Sequence, residues 1–395
     1  MLIYADNAAT TKMSKAAIDE LLNKSKEEYG NPSSLHSVGQ KAADTLFYAR
    51  KIISEVLGAT EKNIFFTSGG SESDNMAIVS AVLHGKKKGK NHIITTKFEH
   101  HAVLHTIKKY EKQGFDVTYV DVNENGIVKV EDIAKAIRDD TALVSVMFAN
   151  NEIGTIQPIA DIGKVCEEKK VLFHTDAVQA AGHVRIDVNE LKVDYLSLSA
   201  HKFGGPKGVG VLYAKNRSQV YNLIEGGAQE FGKRGGTENV PSISAMAAAL
   251  KESCLNLDYN SKKVLNMREK LIDGLLAIPH TVLNGDRNLR LPGNVNVCFE
   301  GIEGESLLLM LDCMGIAASS GSACTSGSLE PSHVLLAIGR PHEIAHGSLR
   351  LSINHENTME EIDKIIEVTS DVVERLRSMS PVWDDLQKGR KKHVI

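Results

Sequence analysis

From residue 63 to residue 213 the chain repeats one pattern: a short apolar run, a polar or glycine-bearing junction, then a longer stretch with helical spacing. The apolar runs fall at 63–67, 92–96, 116–120, 143–148, 171–174, 194–199 and 210–213. Alternation of this kind predicts an α/β fold with a mostly parallel seven-stranded sheet covered by helices on both faces. The chain has 395 residues, enough for more than one domain. Polarity rises at 258–260, a helical pattern follows over 262–276, and a strand pattern resumes at 293–299. The expected division is therefore a large domain over 16–258 and a smaller α+β domain over 259–395, with the N-terminal segment 1–15 packing against the smaller one.

Composition excludes several classes of partner. A net charge of −4 gives no basic field for a phosphate backbone, so nucleic acid is not expected. No run approaches the length needed to span a bilayer, and the first residues lack the basic and apolar regions of a secretory signal, so a membrane is not expected either. Five cysteines, odd in number and without a Cys-x-x-Cys pair, fit a reducing compartment, and the expected location is cytoplasmic. Cys166, Cys298 and Cys313 sit in apolar patterns and read as core.

In an open α/β sheet the ligand sits beyond the carboxyl ends of the strands, so polar residues at those ends are expected to share one site. The run 63–67 leads through Ser68, Gly69, Gly70 and Ser71 into a helical pattern, and such a junction points backbone N–H groups at an anion such as a phosphate. The junction matches neither the dinucleotide fingerprint nor a Walker A loop. Further strand ends carry His100, whose ring could lie flat on an aromatic ligand, then Asn151, then Asp176 with Gln179 three residues on. The run 194–199 ends at Ser199, His201 and Lys202 before a Gly/Pro turn. A primary amine there can condense with an aldehyde, and a carboxylate such as Asp176 can hold the proton on a pyridine nitrogen. An anion cradle, a stacking histidine, an acid and an amine together describe a pyridoxal phosphate site.

These residues carry a resemblance. The stretches 4–11, 30–36, 67–75, 99–104, 149–154, 174–179, 226–230, 234–239 and 319–332 resemble a cysteine desulfurase of the NifS/IscS type, within the fold type I pyridoxal phosphate enzymes. The resemblance implies a Schiff-base role for Lys202, a ring-nitrogen partner in Asp176, a bond from Gln179 to the phenolic oxygen, and stacking by His100. It implies phosphate binding by Gly70, Ser71, Ser199 and His201, with Thr237 reaching across from the second subunit of a homodimer. Ser71 stands where threonine is common in the family, and its hydroxyl and backbone N–H remain. Arg350, assisted by Asn151, resembles the arginine that binds the substrate carboxylate.

Cys324 separates this chemistry from other pyridoxal phosphate reactions. It lies among small residues at about 315–331, with little to bury, so a mobile surface loop is expected. The implied reaction removes sulfur from L-cysteine, giving alanine and a persulfide on Cys324. An acceptor protein in iron-sulfur cluster assembly or in tRNA or cofactor thiolation then takes the sulfur. A selenocysteine lyase or another β-elimination lyase is the alternative. No resident metal is expected, although Cys324 could transiently ligate an iron-sulfur cluster during transfer. His342-Glu343-Ile344-Ala345-His346 matches the zinc-protease motif in form, but Pro341 and Gly347 leave barely one turn of helix to align the two imidazoles.

Overall fold

The computed structural model describes residues 2–320 and 331–395. Seven strands form the main sheet in the order Ile64–Thr67, Gly210–Ala214, Tyr195–Ser199, Leu172–Asp176, Thr141–Ser145, His92–Thr96 and Asp116–Val120. Pairing is parallel except at Gly210–Ala214, which runs against both of its neighbours. Most of these strands are buried along their whole length, as a sheet sandwiched between helix layers requires. Because Thr67 and Ser199 both pair with Gly210, the ends of their two strands lie on the same edge of the sheet. A Cβ on Gly210 would stand 2.7 Å from the backbone of Gly69, so only glycine allows the chain after Thr67 to cross that edge so closely.

The strand predicted at 143–148 is observed at Thr141–Ser145. Beyond Ser145 the backbone leaves the ladder, but Val146 and Phe148 still donate to the carbonyls of His174 and Asp176, so the apolar run continues past the strand. The helix predicted at 262–276 begins earlier and spans Leu257–Leu276. Cys313 is exposed, against the expectation of a core residue. Its helix, Gly304–Cys313, buries the face of Gly304, Leu307 and Leu311, and the three-to-four-residue spacing of that face leaves Cys313 outside it. Cys166 and Cys298 are buried.

A second sheet joins Ser348–Ser352, Asn294–Phe299 and Thr281–Leu283 in antiparallel register. Helices Leu257–Leu276 and Met359–Ser378 cover it, and Val295, Val297, Leu349 and Leu351 meet Leu271, Leu275, Ile365 and Val372 in one apolar cluster. Each such side chain contributes about 1.5–3 kcal/mol on burial. Thr358 and Glu361 close a reciprocal capping box that fixes where the last long helix starts. The N-terminal strand Ile3–Tyr4 pairs with Ile316–Ala317, and the Asn7 N–H donates to the Ser352 carbonyl. Among the described residues no helix is long and apolar enough to cross a membrane.

Candidate active site

Lys202 closes a short 3-10 turn, Ala200–Lys202, at the end of strand Tyr195–Ser199. Its Nζ donates to the carbonyls of Ala8 at 2.7 Å and Ala9 at 2.8 Å. Gln179 Nε2 also donates to the Ala8 carbonyl, at 2.9 Å. The Thr11 hydroxyl donates to the His201 carbonyl, and His201 Nδ1 lies 3.1 Å from the Thr10 hydroxyl. Residues 8–11 therefore form a strap across the end of the lysine strand. A cavity of about 340 Å³ opens on the strap side of Lys202 and Gln179; Asp176 and His100 do not line it.

Asp176 ends the adjacent strand, is 5 % exposed, and accepts the Val178 N–H at 2.9 Å through Oδ1. Burial, reinforced by the neighbouring Asp74 carboxyl, pushes its pKa up to about 7, against the opposing pull of His174 and Lys202. A cation against this carboxylate, such as a protonated ring nitrogen, would offset that cost. His100 caps helix His101–Glu111 by accepting the Ala102 N–H on Nδ1. Burial, with a further contribution from the Lys202 charge, lowers its pKa to about 4, so at neutral pH it presents an uncharged ring. Lys202 thus acts electrostatically on both His100 and Asp176, and the fold brings these three strand-end residues together.

The anion cradle is equally constrained. Helix Gly70–Lys87 starts after Gly69, and its first N–H groups have no partner within the helix. A Cβ on Gly70 would lie 2.6 Å from Val178 Cγ2 and 3.4 Å from Ser199 Cβ, so Ser199 stands beside the helix start. Packing against Val178 leaves no room for a side chain at Gly70. Ser71 is exposed on the first turn. Thr237 is exposed in the segment that Arg234 ties to Glu72 by an ion pair at 3.0 Å. The His201 side chain is held by Thr10, and burial followed by the Lys202 charge lowers its pKa to about 4.

Arg350 lies in strand Ser348–Ser352 and is 3 % exposed. Its Nη2 pairs with Asp6 Oδ1 at 2.9 Å and its Nη1 donates to the Asn151 carbonyl at 3.1 Å, while its Nε is buried without a partner. The link to Asn151 therefore runs through that residue's backbone. Cys324, singled out by the sequence, lies outside the described residues, as does most of the loop expected at 315–331.

Three buried groups near the site escaped the sequence reading. Asp74 has an Oδ1 with no hydrogen-bond partner, and burial raises its pKa to about 7. Glu99 accepts from Thr96 and from the Met147 N–H through Oε1, leaves Oε2 unpartnered, and is raised by burial to about 8. His174 sits between the hydroxyls of Ser145 and Ser197, and burial lowers it to about 4. Asp74 follows Gly70 at helical i+4 spacing, a signal that could have placed it one turn inside the cradle helix.

Residues 3–365 match the family Aminotransferase class-V. A Clostridium botulinum protein named cysteine desulfurase IscS is 54 % identical over 393 residues, covering 99 % of each chain. A Methanosarcina thermophila protein of the same name is 52 % identical over 380 residues, covering 96 % of this chain and 94 % of the other. A solved structure titled NifS-like protein superposes with a TM-score of 0.90 at 38 % identity, over 95 % of this chain and 100 % of that one.

Proposed function

The chain belongs to the class-V aminotransferase family and is a cysteine desulfurase that uses pyridoxal phosphate, and from that premise we propose that Lys202, Asp176, His100 and Cys324 carry the reaction. The supporting observation is the meeting of Lys202, neutral His100 and buried Asp176 beside the helix that starts at Gly70. Gly70, Ser71, Ser199 and His201 are the proposed phosphate contacts, with Thr237 from a second subunit of a homodimer.

Pyridoxal phosphate, when bound, supplies a conjugated ring that takes up the electron pair released at the substrate Cα. Asp176, as carboxylate, would hold a proton on the ring nitrogen. His100, uncharged at neutral pH, would stack on the ring, and Gln179 would bond the phenolic oxygen. Arg350 and Asn151 orient the substrate carboxylate; a guanidinium fork matches its two oxygens. Lys202 Nζ takes the Cα proton and returns it later. Cys324, as thiolate, attacks the substrate sulfur: the S–S bond forms and the C–S bond breaks. The electron pair stays with the carbon fragment, which is protonated and leaves as alanine.

The persulfide on Cys324 then passes to an acceptor protein, for which iron-sulfur cluster assembly or thiolation is the proposed destination. A cytoplasmic location is proposed from the odd cysteine count without a Cys-x-x-Cys pair. We also propose the division into a segment 1–15, a large domain 16–258 and a smaller domain 259–395; the largest cluster falls almost wholly in 16–258 and the second almost wholly in 259–395, while a further cluster joins Phe98 and Met147 to Cys298 and Leu335 across the division. The test is the reaction of purified protein with L-cysteine. Cys324→Ala is expected to keep the cofactor colour and to lose persulfide and alanine formation. Persulfide at the parent rate in that variant would overturn the role of Cys324.

A further inference from the structure

Outside the residues of that site, His280, Glu300 and His393 gather at one end of the three-stranded sheet. Among the described residues they are the one group of three His, Cys, Asp or Glu side chains whose donor atoms lie close enough for a shared ion, all within 4.8 Å of one another. His280 immediately precedes strand Thr281–Leu283, and Glu300 follows strand Asn294–Phe299, so the sheet register places them side by side. The Glu300 N–H donates to the His280 carbonyl at 3.1 Å. His393 arrives from the last residues of the sequence.

The carboxylate is the unusual member. The Glu300 side chain is only 4 % exposed, whereas His280 and His393 are 29 % and 31 % exposed. Glu300 Oε2 lies 2.7 Å from His393 Nδ1 and 3.4 Å from His280 Nδ1. The two imidazoles stack at 3.8 Å with their planes 19° apart, so both Nδ1 atoms address the same carboxylate oxygen. The Ile395 main-chain oxygen lies 2.7 Å from His280 Nδ1. The Val394 N–H donates to Glu300 Oε1 at 2.7 Å and fixes the carboxylate plane.

We propose that His280, Glu300 and His393 bind a divalent transition ion of the zinc type, with the Ile395 main-chain oxygen as fourth donor. The bound ion fastens residues 388–395 to the edge of the sheet. Two imidazoles and two oxygens are a donor set suited to zinc or nickel. Tetrahedral zinc holds such donors about 3.4 Å apart, so the two contacts at 2.7 Å, His393 Nδ1 to Glu300 Oε2 and His280 Nδ1 to the Ile395 oxygen, must each open by roughly 0.7 Å, while His280 Nδ1 to Glu300 Oε2 already stands at 3.4 Å. The ion takes the lone pair on each Nδ1, the imidazole proton resides on Nε2, and no oxidant or reductant is required. The carboxylate hydrogen bond from Val394 supplies the outer support that orients metal ligands.

Positive charge lies nearby, on Arg377 and on Lys391 and Lys392, which line the same groove as Glu300. Arg377, however, spends its donors on backbone: Nε on the Glu300 carbonyl at 3.0 Å, Nη1 on Pro279 at 2.7 Å and Nη2 on His280 at 3.0 Å. It therefore holds the backbone of two ligands in place, and its charge also acts on the Glu300 carboxylate without a direct side-chain bond to it. Its guanidinium also covers the Trp383 ring at 4.1 Å.

Trp383 makes the proposal measurable. It is the single tryptophan of the chain, and its ring lies 5.4 Å from His280 and 5.6 Å from His393. Holoenzyme of the full chain, cleared of adventitious metal by chelator, is titrated with Ni²⁺ while tryptophan emission is followed. Quenching that saturates at one ion per chain and reverses with Zn²⁺ is expected. His393→Ala should weaken the midpoint by more than about tenfold, since even loss of an outer partner costs that much, and should leave cofactor absorbance and desulfurase rate unchanged. Zn²⁺ should also slow tryptic cleavage at Lys388, Arg390, Lys391 and Lys392 in the parent and not in His393→Ala. Equal midpoints in parent and His393→Ala, or quenching abolished by thiol alkylation, would overturn the site. The first result would leave these residues a hydrogen-bonded latch, and the second would place the ion on cysteine. Should His280→Ala fail to fold, His393→Ala and a chain ending at residue 387 decide the question alone.

Discussion

Arg350 and Ser319 exchange two backbone hydrogen bonds, Arg350 N–H to the Ser319 carbonyl at 2.6 Å and Ser319 N–H to the Arg350 carbonyl at 3.1 Å. The strand that carries the buried guanidinium is thus tied directly to the residue five positions before Cys324. The residues proposed for substrate anchoring and for sulfur transfer therefore lie close along one connected piece of backbone.

Arg350→Lys tests the anchoring side. A lysine restores the charge but not the fork, so the KM for cysteine should rise about tenfold or more while kcat changes less. Steady-state kinetics on purified holoenzyme check this, and an unchanged KM would remove Arg350 from the substrate site.

Gly70→Ala places a methyl group 2.6 Å from Val178 Cγ2, at the proposed phosphate seat. Cofactor affinity should fall by about tenfold, roughly 1.4 kcal/mol. Equilibrium titration of the cofactor-free variant measures it. Val178→Ala in the same chain should recover most of the loss; no recovery would mean that the contact is not the cause.

Asp176→Asn keeps the shape and discards the charge. The amide cannot sustain a protonated ring nitrogen, so cofactor should still bind while the desulfurase rate drops about 10²–10⁴-fold. Absorbance and alanine release, measured together, separate the two effects, and a near-parent rate would contradict the assignment.

Asp74 supports a prediction on stability against pH. Burial raises its pKa from the ordinary 3.8 to about 7. The folded chain therefore holds a proton that the unfolded chain has released between those values, and stability falls as pH rises through that window. Asp74→Asn removes this cost, so the cofactor-free variant should gain roughly 1–3 kcal/mol at pH 8 and almost nothing at pH 3. Denaturant melts at the two pH values read the difference, and an equal gain at both would show that the carboxyl does not titrate as described.

The sequence alone determined the seven apolar runs and the polar residues that close them. Local spacing suffices for both, because side-chain period and glycine junctions are properties of neighbouring residues. Lys202, Asp176, His100 and the Gly70 junction were legible for that reason. Ser145 ended its strand early because the ladder, rather than hydropathy, decides where pairing stops. Cys313 left the core because the face its helix buries is set by packing.

Only the tertiary structure decided the rest. The strap of Ala8 and Ala9 over Lys202, the Asp6 pair with Arg350, and the buried carboxyls of Asp74 and Glu99 join residues far apart in sequence. The cluster of His280, Glu300 and His393 spans 113 positions and has no spacing to betray it. Burial raises a carboxyl's pKa or aligns two imidazoles only after separate strands have closed around them. A linear sequence records the groups, and the folded packing sets their charge and their partners.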